Sequence, residues 1–466
     1  MLRRKFIKNV GFAFVAQGVS FLLSMTMSLI VPKILGETEF AYWQLFIFYA
    51  NYVGLFHLGI TDGVYLKYGG YEYADIDKPD VRFQLRVLTC WLMTLSLLML
   101  VLVNNSALNG ERKIILMLTD LYMIIANMAW YLGYIFQASN RIKDYSIAVI
   151  LDRLLFLMIV IISLIFGKGT YIFFIVAYIV TKLLAVIYSF IRLESFWKGQ
   201  RYSIIAGLSN TLYYVKNGIF LTLSSVASIL ILGIGRFIID GVWGIDAFSK
   251  ISLSLSLTNF FLLFVGQVSL VLFPSLRRFD ESRQKDVYEK CQGLVNFFLP
   301  LILVLYIPLK KILLLWLPDY ELSFRYLGLL LPLCILDGKM QLLCNTYFKV
   351  FNKQRILFVI NLCSMFISMF MGFIGAWGIR NMNFVVAGLV ISIAVRSIVS
   401  EIYLNHCMKS EKRICKDIAF QIILITVFMA SSWYLADSIA FAITFVSYIF
   451  FICFSWYKIY GAIGDV

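Results

Sequence analysis

Residues 177–188 read AYIVTKLLAVIY, and eleven of these twelve side chains suit a hydrocarbon environment. The exception is Lys182, which stands near the middle of an apolar run over about 170–190. A helix of about 20 such residues crosses the hydrocarbon core of a bilayer. The stretch therefore predicts a membrane-spanning helix, and the position of one lysine in it has to be explained.

The composition extends this prediction to the whole chain. Its 466 residues are 61% hydrophobic and 14% charged, with a mean hydropathy of +0.86. Soluble domains carry about 25% charged residues, and a single soluble core stops growing at about 250–300 residues. No Gly/Ser-rich or Pro-rich tract offers a linker. The apolar run 10–31 is longer than the core of a signal peptide, so we interpret it as the first transmembrane helix.

The apolar runs predict fourteen transmembrane spans. They cover about 10–31, 40–60, 87–103, 114–136, 147–166, 170–190, 217–239, 245–271, 293–316, 327–348, 357–379, 384–404, 418–436 and 439–457. With the N-terminus inside, 28 of the 41 Lys and Arg residues fall on the inner side and 8 on the outer side. This bias predicts that both termini are cytoplasmic, and it explains the net charge of +15 without a nucleic-acid partner.

Two halves of the chain share weak sequence similarity in a constant order. The matching pairs are Gly36 and Gly244, Phe40 and Phe248, Phe136 and Phe348, Asn140 and Asn352, and Arg141 and Lys353, at offsets of 208 to 212. We therefore predict an all-α polytopic membrane protein with two pseudo-symmetric six-helix bundles and two extra C-terminal helices. The predicted boundaries are 1–203, 204–417 and 418–466.

Five cations fall within predicted spans: Lys182, Arg236, Lys250, Lys339 and Arg396. Each would cost about 2.5–3.5 kcal/mol if it faced lipid at the bilayer centre. Lys182 and Arg396 lie at equivalent places in the two halves, at an offset of 214, and no acidic partner is evident for either in the sequence. Snorkelling or a local pair with Asp240 is an alternative for Arg236, and snorkelling is an alternative for Lys250.

The sign of these charges predicts the class of cargo. Asp337 is the one acid near mid-span among them, because Asp120, Asp152 and Glu401 lie toward span ends. We predict a cavity lined by the five cations and Asp337 that takes an anionic cargo, such as a phosphate or pyrophosphate. The chain has no GxxxxGK[ST] motif, and no outer loop is long enough for a catalytic domain. We expect a transporter that is not an enzyme and needs no cofactor or metal.

Four segments resemble the bacterial oligosaccharide flippases, the Wzx-type transporters of O-antigen and capsule repeat units. They read LGITDGVYLKYGG (58–70), FQASNRIKDYS (136–146), ILGIGRFIID (231–240) and SLTNFFLLFVGQVSLVLFPSLRR (256–278). This family shares a superfamily with the MATE drug exporters and the lipid II flippases. The resemblance covers nearly the whole chain, and it identifies a fold more specifically than a cargo.

The resemblance implies two six-helix bundles around a cationic cavity that work by alternating access. It implies an undecaprenyl-pyrophosphate-linked oligosaccharide as cargo, moved from the inner to the outer leaflet of the bacterial cytoplasmic membrane for lipopolysaccharide or capsule synthesis. Expected partners are membrane lipid, a polymerase and other polysaccharide-assembly proteins. A flippase of lipid II or of a teichoic-type precursor is the alternative. A MATE-type drug exporter fits less well, because its cavity should be lined by acids.

Overall fold

The structure is a computed structural model that describes residues 2–69, 71, 73–167, 169–198, 202–276, 281–351, 353–408 and 414–463. Within these ranges the chain forms eighteen α-helices. They are α1 (Leu2–Leu29), α2 (Val31–Ala50), α3 (Ile60–Tyr68), α4 (Lys78–Asn105), α5 (Gly110–Ala138), α6 (Ile142–Phe166), α7 (Tyr171–Arg192), α8 (Glu194–Trp197), α9 (Ile204–Leu276), α10 (Glu281–Phe298), α11 (Leu301–Trp316), α12 (Glu321–Leu330), α13 (Pro332–Lys339), α14 (Asn345–Val350), α15 (Gln354–Phe373), α16 (Met382–Cys407), α17 (Ile414–Tyr434) and α18 (Asp437–Ile463).

The predicted all-α membrane architecture is confirmed. Among the described residues, nine helices are long and apolar enough to cross a membrane, and two bent helix pairs raise the number to eleven. One of the nine, Ile204–Leu263, is 60 residues long and carries two predicted spans. One bent pair, Val15–Leu29 with Val31–His57, also carries two, and the shorter apolar helix Asp437–Cys453 carries the last. These segments together accommodate the fourteen predicted spans.

The glycines that match in the sequence adopt the same unusual backbone conformation. Gly36 has φ 70° and ψ 177°, and Gly244 has φ 84° and ψ −179°. Glycine is essentially the one residue that adopts this region, because any Cβ would clash with the neighbouring backbone. Both glycines mark the corner between the first and second spans of a half, so the predicted repeat is visible in the backbone.

A second repeated feature ends the fourth span of each half. The backbone N–H of Arg141 donates to the carbonyl of Phe136 at 2.7 Å, and Lys353 donates to Phe348 at 2.8 Å. A hydrogen bond from a backbone N–H to the carbonyl five residues earlier is typical of the Schellman motif. This motif gives a partner to a free carbonyl at the C-terminus of a helix. Asn140 has φ +54°, and its predicted counterpart Asn352 lies outside the described residues.

The chain divides into two compact units, residues 1–226 and 227–466, so the division falls inside α9. In unit 1 the side chain of Trp43 is fully buried among aromatic rings, including a stacked contact with Phe156 at 5.9 Å between ring centroids. In unit 2 a core cluster surrounds Tyr288 and Tyr347, whose rings meet edge to face at 5.0 Å. The predicted boundaries at 203/204 and 417/418 stay a prediction.

Unit 1 includes the first residues of α9, which pack very closely against α3. A Cβ on Gly63 would lie 2.2 Å from the carbonyl oxygen of Tyr214, and one on Gly218 would lie 2.0 Å from that of Gly59. The hydroxyl of Thr222 donates to the carboxylate of Asp62 at 2.6 Å. Glycine is required on both helices because the two backbones touch, and α9 is thereby fixed to unit 1 over residues 214–222.

Candidate functional site

Lys182 forms an ion pair inside unit 1. It lies on α7, and its Nζ donates to the carboxylate of Asp152 on α6. The side chains of Lys182 and Asp152 are 17% and 8% exposed, and the hydroxyl of Thr181 donates to the same carboxylate at 3.4 Å. The expectation that Lys182 has no acidic partner is therefore wrong, because an acid assigned to a span end lies opposite it on the preceding helix.

The ion pair borders a cavity of about 110 Å³ between α5, α6 and α7. The cavity is lined by Ala129, Trp130, Gly133, Tyr134, Gln137, Tyr145, Ala148, Val149, Asp152, Arg153, Lys182, Ala185 and Ser189. This volume would hold about three or four water molecules. Its ionisable lining residues other than tyrosine are two cations and one acid, so the lining carries one formal positive charge in excess.

Helical spacing explains how these side chains converge on one space. Lys182, Ala185 and Ser189 lie on one face of α7 at intervals of three and four residues. Gly133 and Gln137 follow the same spacing on α5. Small residues such as Gly133 and Ala185 create the space of the cavity, and the long polar side chains reach into it.

The lining groups can bind an anion or a hydroxyl-rich ligand. Lys182 and Arg153 donate charged hydrogen bonds, which are the strongest kind that proteins make to phosphate. Gln137 can both donate and accept, as sugar hydroxyls require, whereas the hydroxyl of Ser189 donates to the carbonyl of Ala185 at 2.8 Å and remains an acceptor. Trp130 is 37% exposed and presents an aromatic ring at the same cavity. The predicted site did not include Arg153, which the sequence places near the inner end of its span.

Unit 2 holds two buried ion pairs between α13 and α16. Arg396 Nη1 donates to Asp337 Oδ1 at 3.3 Å, so Arg396, like Lys182, has a partner that the sequence did not reveal. Two residues after Asp337, the Nζ of Lys339 lies 3.3 Å from Glu401 Oε2. The side chains of Lys339 and Glu401 are 3% and 4% exposed. An acid and a cation follow each other on both α13 and α16, in opposite order of sign, so Lys339 and Arg396 each face an acid on the other helix.

Two amides complete the unit 2 cluster. Lys339 Nζ donates to Gln421 Oε1 on α17 at 2.6 Å, and Gln292 Nε2 on α10 donates to Glu401 Oε1 at 2.7 Å. The cluster therefore joins α10, α13, α16 and α17 through hydrogen bonds in the protein interior. A buried pair whose hydrogen bonds are satisfied in this way is tolerated, whereas either charge alone would be strongly unfavourable.

The helix that carries Asp337 and Lys339 is irregular on both sides of them. A break of 45° precedes Pro332, and a π-helical segment, Met340–Cys344, follows Lys339 directly. Proline removes a backbone donor and breaks the helix, and π-helical turns are frequent at functional sites. Interrupted transmembrane helices often form the substrate or ion sites of transporters. This geometry makes the tenth span a candidate for a functional role.

The remaining predicted cations, Arg236 and Lys250, also lie in unit 2. Arg236 is half-buried; it donates to the hydroxyl of Ser252 at 2.8 Å and lies 4.9 Å above the ring of Phe248. Lys250 is half-buried on the second part of α9. Of the six predicted site residues, Lys182 therefore lies in unit 1 and the other five lie in unit 2, and their role as cargo contacts stays a prediction.

A further buried acid, Asp80, was not expected from the sequence. Its side chain has no exposed surface and accepts hydrogen bonds from Tyr68 at 3.2 Å, Gln84 at 3.1 Å, Asn210 at 3.2 Å and the hydroxyl of Tyr214. Lys67 Nζ lies 3.5 Å away. Burial, together with the nearby Asp80 carboxylate, raises the pKa of Tyr68, so this hydroxyl keeps its proton and acts as a donor.

The Asp80 cluster has a structural role that its position makes clear. Asp80 begins α4, whereas Asn210 and Tyr214 come from the first turns of α9, 130 and 134 residues later. Gln84 also donates to the carbonyl of Gly207 at 3.1 Å. The cluster therefore fixes the start of α9 to α4, in addition to the glycine contacts with α3. The sequence does not reveal this role, because an acid near the polar end of a span could equally well be exposed to water.

No family model and no curated protein matches the chain. Among solved structures, the lipid II flippase MurJ in an inward closed conformation aligns with a TM-score of 0.67 at 13% identity, over 96% of this chain and 98% of that one. An inward-facing multidrug resistance MATE transporter of the MOP superfamily aligns at 0.61 and 12% identity, over 85% of this chain and 96% of that one.

A third solved structure extends the likeness. A MOP superfamily transporter from Pyrococcus furiosus aligns with a TM-score of 0.55 at 11% identity, over 87% of this chain and 96% of that one. The chain has the fold of the MOP superfamily transporters. It is a multi-pass membrane protein, and at 11–13% identity the likeness to these structures specifies the fold alone.

Proposed function

We propose that the protein is a flippase that moves an undecaprenyl-pyrophosphate-linked oligosaccharide repeat unit from the inner to the outer leaflet. The observation that supports this most directly is the cavity of unit 1, where Lys182 and Arg153 outnumber Asp152 within a transporter fold. The cargo would be a repeat unit for surface polysaccharide, such as O-antigen or capsule. Transport by alternating access is the mechanism that the sequence resemblance implies.

The chemistry of the cavity supports a phosphorylated glycan. The excess positive charge attracts a pyrophosphate, and an arginine can bind it with two parallel hydrogen bonds. The hydroxyl, amide and indole groups beside these cations suit sugar rings. An exporter of organic cations is disfavoured by the same charge, because a cationic drug would be repelled by Lys182 and Arg153.

A lipid II flippase is the second candidate. The solved structure that aligns over 96% of this chain is named as a lipid II flippase, and lipid II is also a pyrophosphate-linked glycan. Both candidates therefore need the same positive charge and differ in the sugars. The choice between them depends on which lipid-linked glycan remains on the inner leaflet when the protein is absent.

The cellular test is deletion of the gene with complementation by the wild-type chain. We expect loss of surface polysaccharide and accumulation of lipid-linked repeat units on the inner leaflet, while peptidoglycan synthesis continues. Accumulation of lipid II with cell lysis would favour the second candidate. Normal export of completed units in the deletion strain would contradict both.

The proposed direction of transport requires both termini in the cytoplasm. The charge bias of the loops supports a cytoplasmic membrane protein with Lys78 inside and Asn105 and Arg380 outside. Arg283 and Lys412 should also be inside, although the structure does not describe Lys412 or the side chain of Arg283. Reporter fusions at Lys78 and Arg380 test this orientation, and a fusion that reports Arg380 as cytoplasmic would contradict it.

A further inference from the structure

An apolar groove of about 610 Å³ runs along unit 2 between α16 and α17. Leu329 of α12 and Leu336 of α13 form part of its lining. Most of the lining is aliphatic or aromatic, and the small side chains Ala387, Ala394 and Ala430 provide its depth. The groove is separate from the cavity beside Lys182, which lies in unit 1.

The length of the groove matches one leaflet of a bilayer. Along α16 it extends from Asn383 to Ala394, which at 1.5 Å per residue is about 17 Å. Along α17 it extends from Ile422 to Tyr434, or about 18 Å. The hydrocarbon core of a bilayer is about 30 Å thick. The groove therefore covers about half of the core and ends near its middle.

The groove opens sideways along membrane-spanning helices. Ile391 and Ile422 line it and are each 45% exposed, and Ala430 is exposed as well. At this depth in a membrane the available solvent is hydrocarbon, and water would gain few hydrogen bonds from such a surface. An aliphatic chain is the occupant that fits both the lining and the surroundings.

Polar groups are confined to one end of the groove, apart from the hydroxyl of Thr426. Asn381 and Asn383 line this end at the start of α16, and Asn383 Oδ1 accepts a hydrogen bond from the hydroxyl of Tyr326 at 3.1 Å. The exposed guanidinium of Arg325 lies 4.4 Å above the ring of Trp433, which also lines the groove. Stacking on the indole holds the guanidinium at the mouth and leaves its N–H groups free to turn outward.

We propose that this groove binds one acyl chain of an anionic phospholipid, with the lipid phosphate held at the mouth by Arg325 and the amide of Asn381. Arginine and amide N–H groups are suitable donors to a phosphodiester. The acid Asp437 begins α18, and Lys310 engages it at 2.8 Å, which reduces its repulsion of an anionic headgroup. The single-leaflet length fits a phospholipid chain, which is anchored by its headgroup at the membrane surface.

The test measures lipid retention by the purified full-length protein with native mass spectrometry. The protein is delipidated in detergent and titrated with phosphatidylglycerol or phosphatidylcholine. We expect wild-type protein to retain one phosphatidylglycerol and to bind phosphatidylcholine more weakly. Arg325→Gln should weaken phosphatidylglycerol binding about tenfold, which corresponds to the loss of one charge-assisted hydrogen bond, and should remove the headgroup preference.

Filling the groove gives an independent arm of the test. Ala430→Leu places a larger side chain in the groove and should reduce the binding of both lipids. Ala442→Leu makes the same change on an exposed part of α18 that does not line the groove, and it should bind lipid like the wild type. Thermal unfolding of each variant reports whether it is folded, so a loss of lipid at unchanged stability is attributable to the groove.

Three results would overturn the proposal. Ala430→Leu could retain lipid like the wild type, or Ala442→Leu could lose as much lipid as Ala430→Leu. Alternatively, the wild type could be a dimer that Ala430→Leu dissociates, which would assign the groove to an interface between two copies. Because lipid retention is measured without transport, failure of this proposal is distinguishable from failure of the proposed flippase activity.

Discussion

Unit 1 and unit 2 each place a cation at the same position of the repeat, but the two cations meet their acids in different surroundings. Lys182 pairs with Asp152 beside a cavity that also contains Arg153. Arg396 pairs with Asp337 in the interior, next to a second pair formed by Lys339 and Glu401. Equivalent positions in a repeat therefore need not have equivalent surroundings.

The difference arises from the acids, which do not follow the repeat. Offsets of 212 to 214 carry Asp152 to residues 364–366, which read Ser-Met-Phe, and Ser364 is buried. In unit 2 the acid comes instead from the broken tenth span. One half thus pairs its cation with the neighbouring helix beside a cavity, whereas the other half pairs it with an interrupted helix next to a second, buried ion pair.

The largest expected effect is on the free energy of unfolding, when one acid of a buried ion pair is neutralised in each unit. Glu401→Gln leaves Lys339 charged and 3% exposed, so we expect a loss of about 3–5 kcal/mol in the free energy of unfolding. Asp152→Asn should cost less than half as much, because Lys182 borders a cavity that water can enter. Unfolding of both variants in the same detergent checks this, and equal losses would remove the proposed difference between the units.

A double variant controls the first comparison. Lys339→Gln combined with Glu401→Gln removes both charges and keeps amides that can bond to Gln292 and Gln421. We expect it to recover at least half of the stability lost in Glu401→Gln, since removal of both partners of a buried pair is tolerated better than removal of one. A double variant as unstable as the single one would show that the pair is not the source of the loss.

The second prediction concerns transport. Lys182→Leu should lower flipping of the lipid-linked cargo about 10- to 100-fold. This fold-change corresponds to the loss of one charge-assisted hydrogen bond, which contributes about 1.5–3 kcal/mol. Lys182→Arg should be milder because the charge remains, and Lys182→Glu should be the most severe because it repels the cargo. Surface glycan measured at matched protein level checks the series.

Arg396 provides the counterpart to Lys182 in this experiment. Arg396→Leu leaves Asp337 buried without its cation and should reduce stability, so its transport has to be compared with that of the double variant Asp337→Leu, Arg396→Leu. If the double variant transports like the wild type, Arg396 has no part in cargo binding. If it is folded but inactive, both halves contribute a cation to transport.

The smallest expected effect tests the repeat itself. Gly36→Ala and Gly244→Ala each force an alanine into a backbone region that is essentially restricted to glycine, at a cost of about 1–3 kcal/mol. Apart from the adjoining backbone, no atom lies within 4 Å of the added Cβ at either position, so the two costs should be equal and purely conformational. Gly18→Ala, in the interior of α1 with the same free space, is the control and should not destabilise. Clearly unequal effects at Gly36 and Gly244 would contradict the equivalence of the two corners.

The fold could be predicted from the sequence because its signals are local. Each span is a run of apolar residues of bilayer length, and the corners at Gly36 and Gly244 are single residues whose conformation requires glycine. The sequence also predicted that Lys182 turns away from lipid, since a charge in a span is too costly to face it, and the role of its cavity in cargo binding stays a prediction. These inferences need the properties of one helix at a time.

The partners of the buried charges could not be predicted in the same way. Asp152 lies 30 residues from Lys182 and Glu401 lies 62 residues from Lys339, each on a different helix. Which faces of two helices meet depends on helix packing, which hydropathy does not encode. Both acids also lie near the ends of apolar runs, where an exposed charge would be equally acceptable. Asp80 was missed for the same reason.

The hydrogen bonds of Asp80 have a consequence for the order of folding during synthesis. Asp80 is completely buried only once Asn210 and Tyr214 are in place, and these residues are made 130 and 134 positions later. At about 5–20 residues per second, the ribosome needs about 7–27 s to reach them. Through that interval the nascent first half lacks two of the hydrogen-bond donors to this carboxylate, so the first bundle is completed by the helix that begins the second.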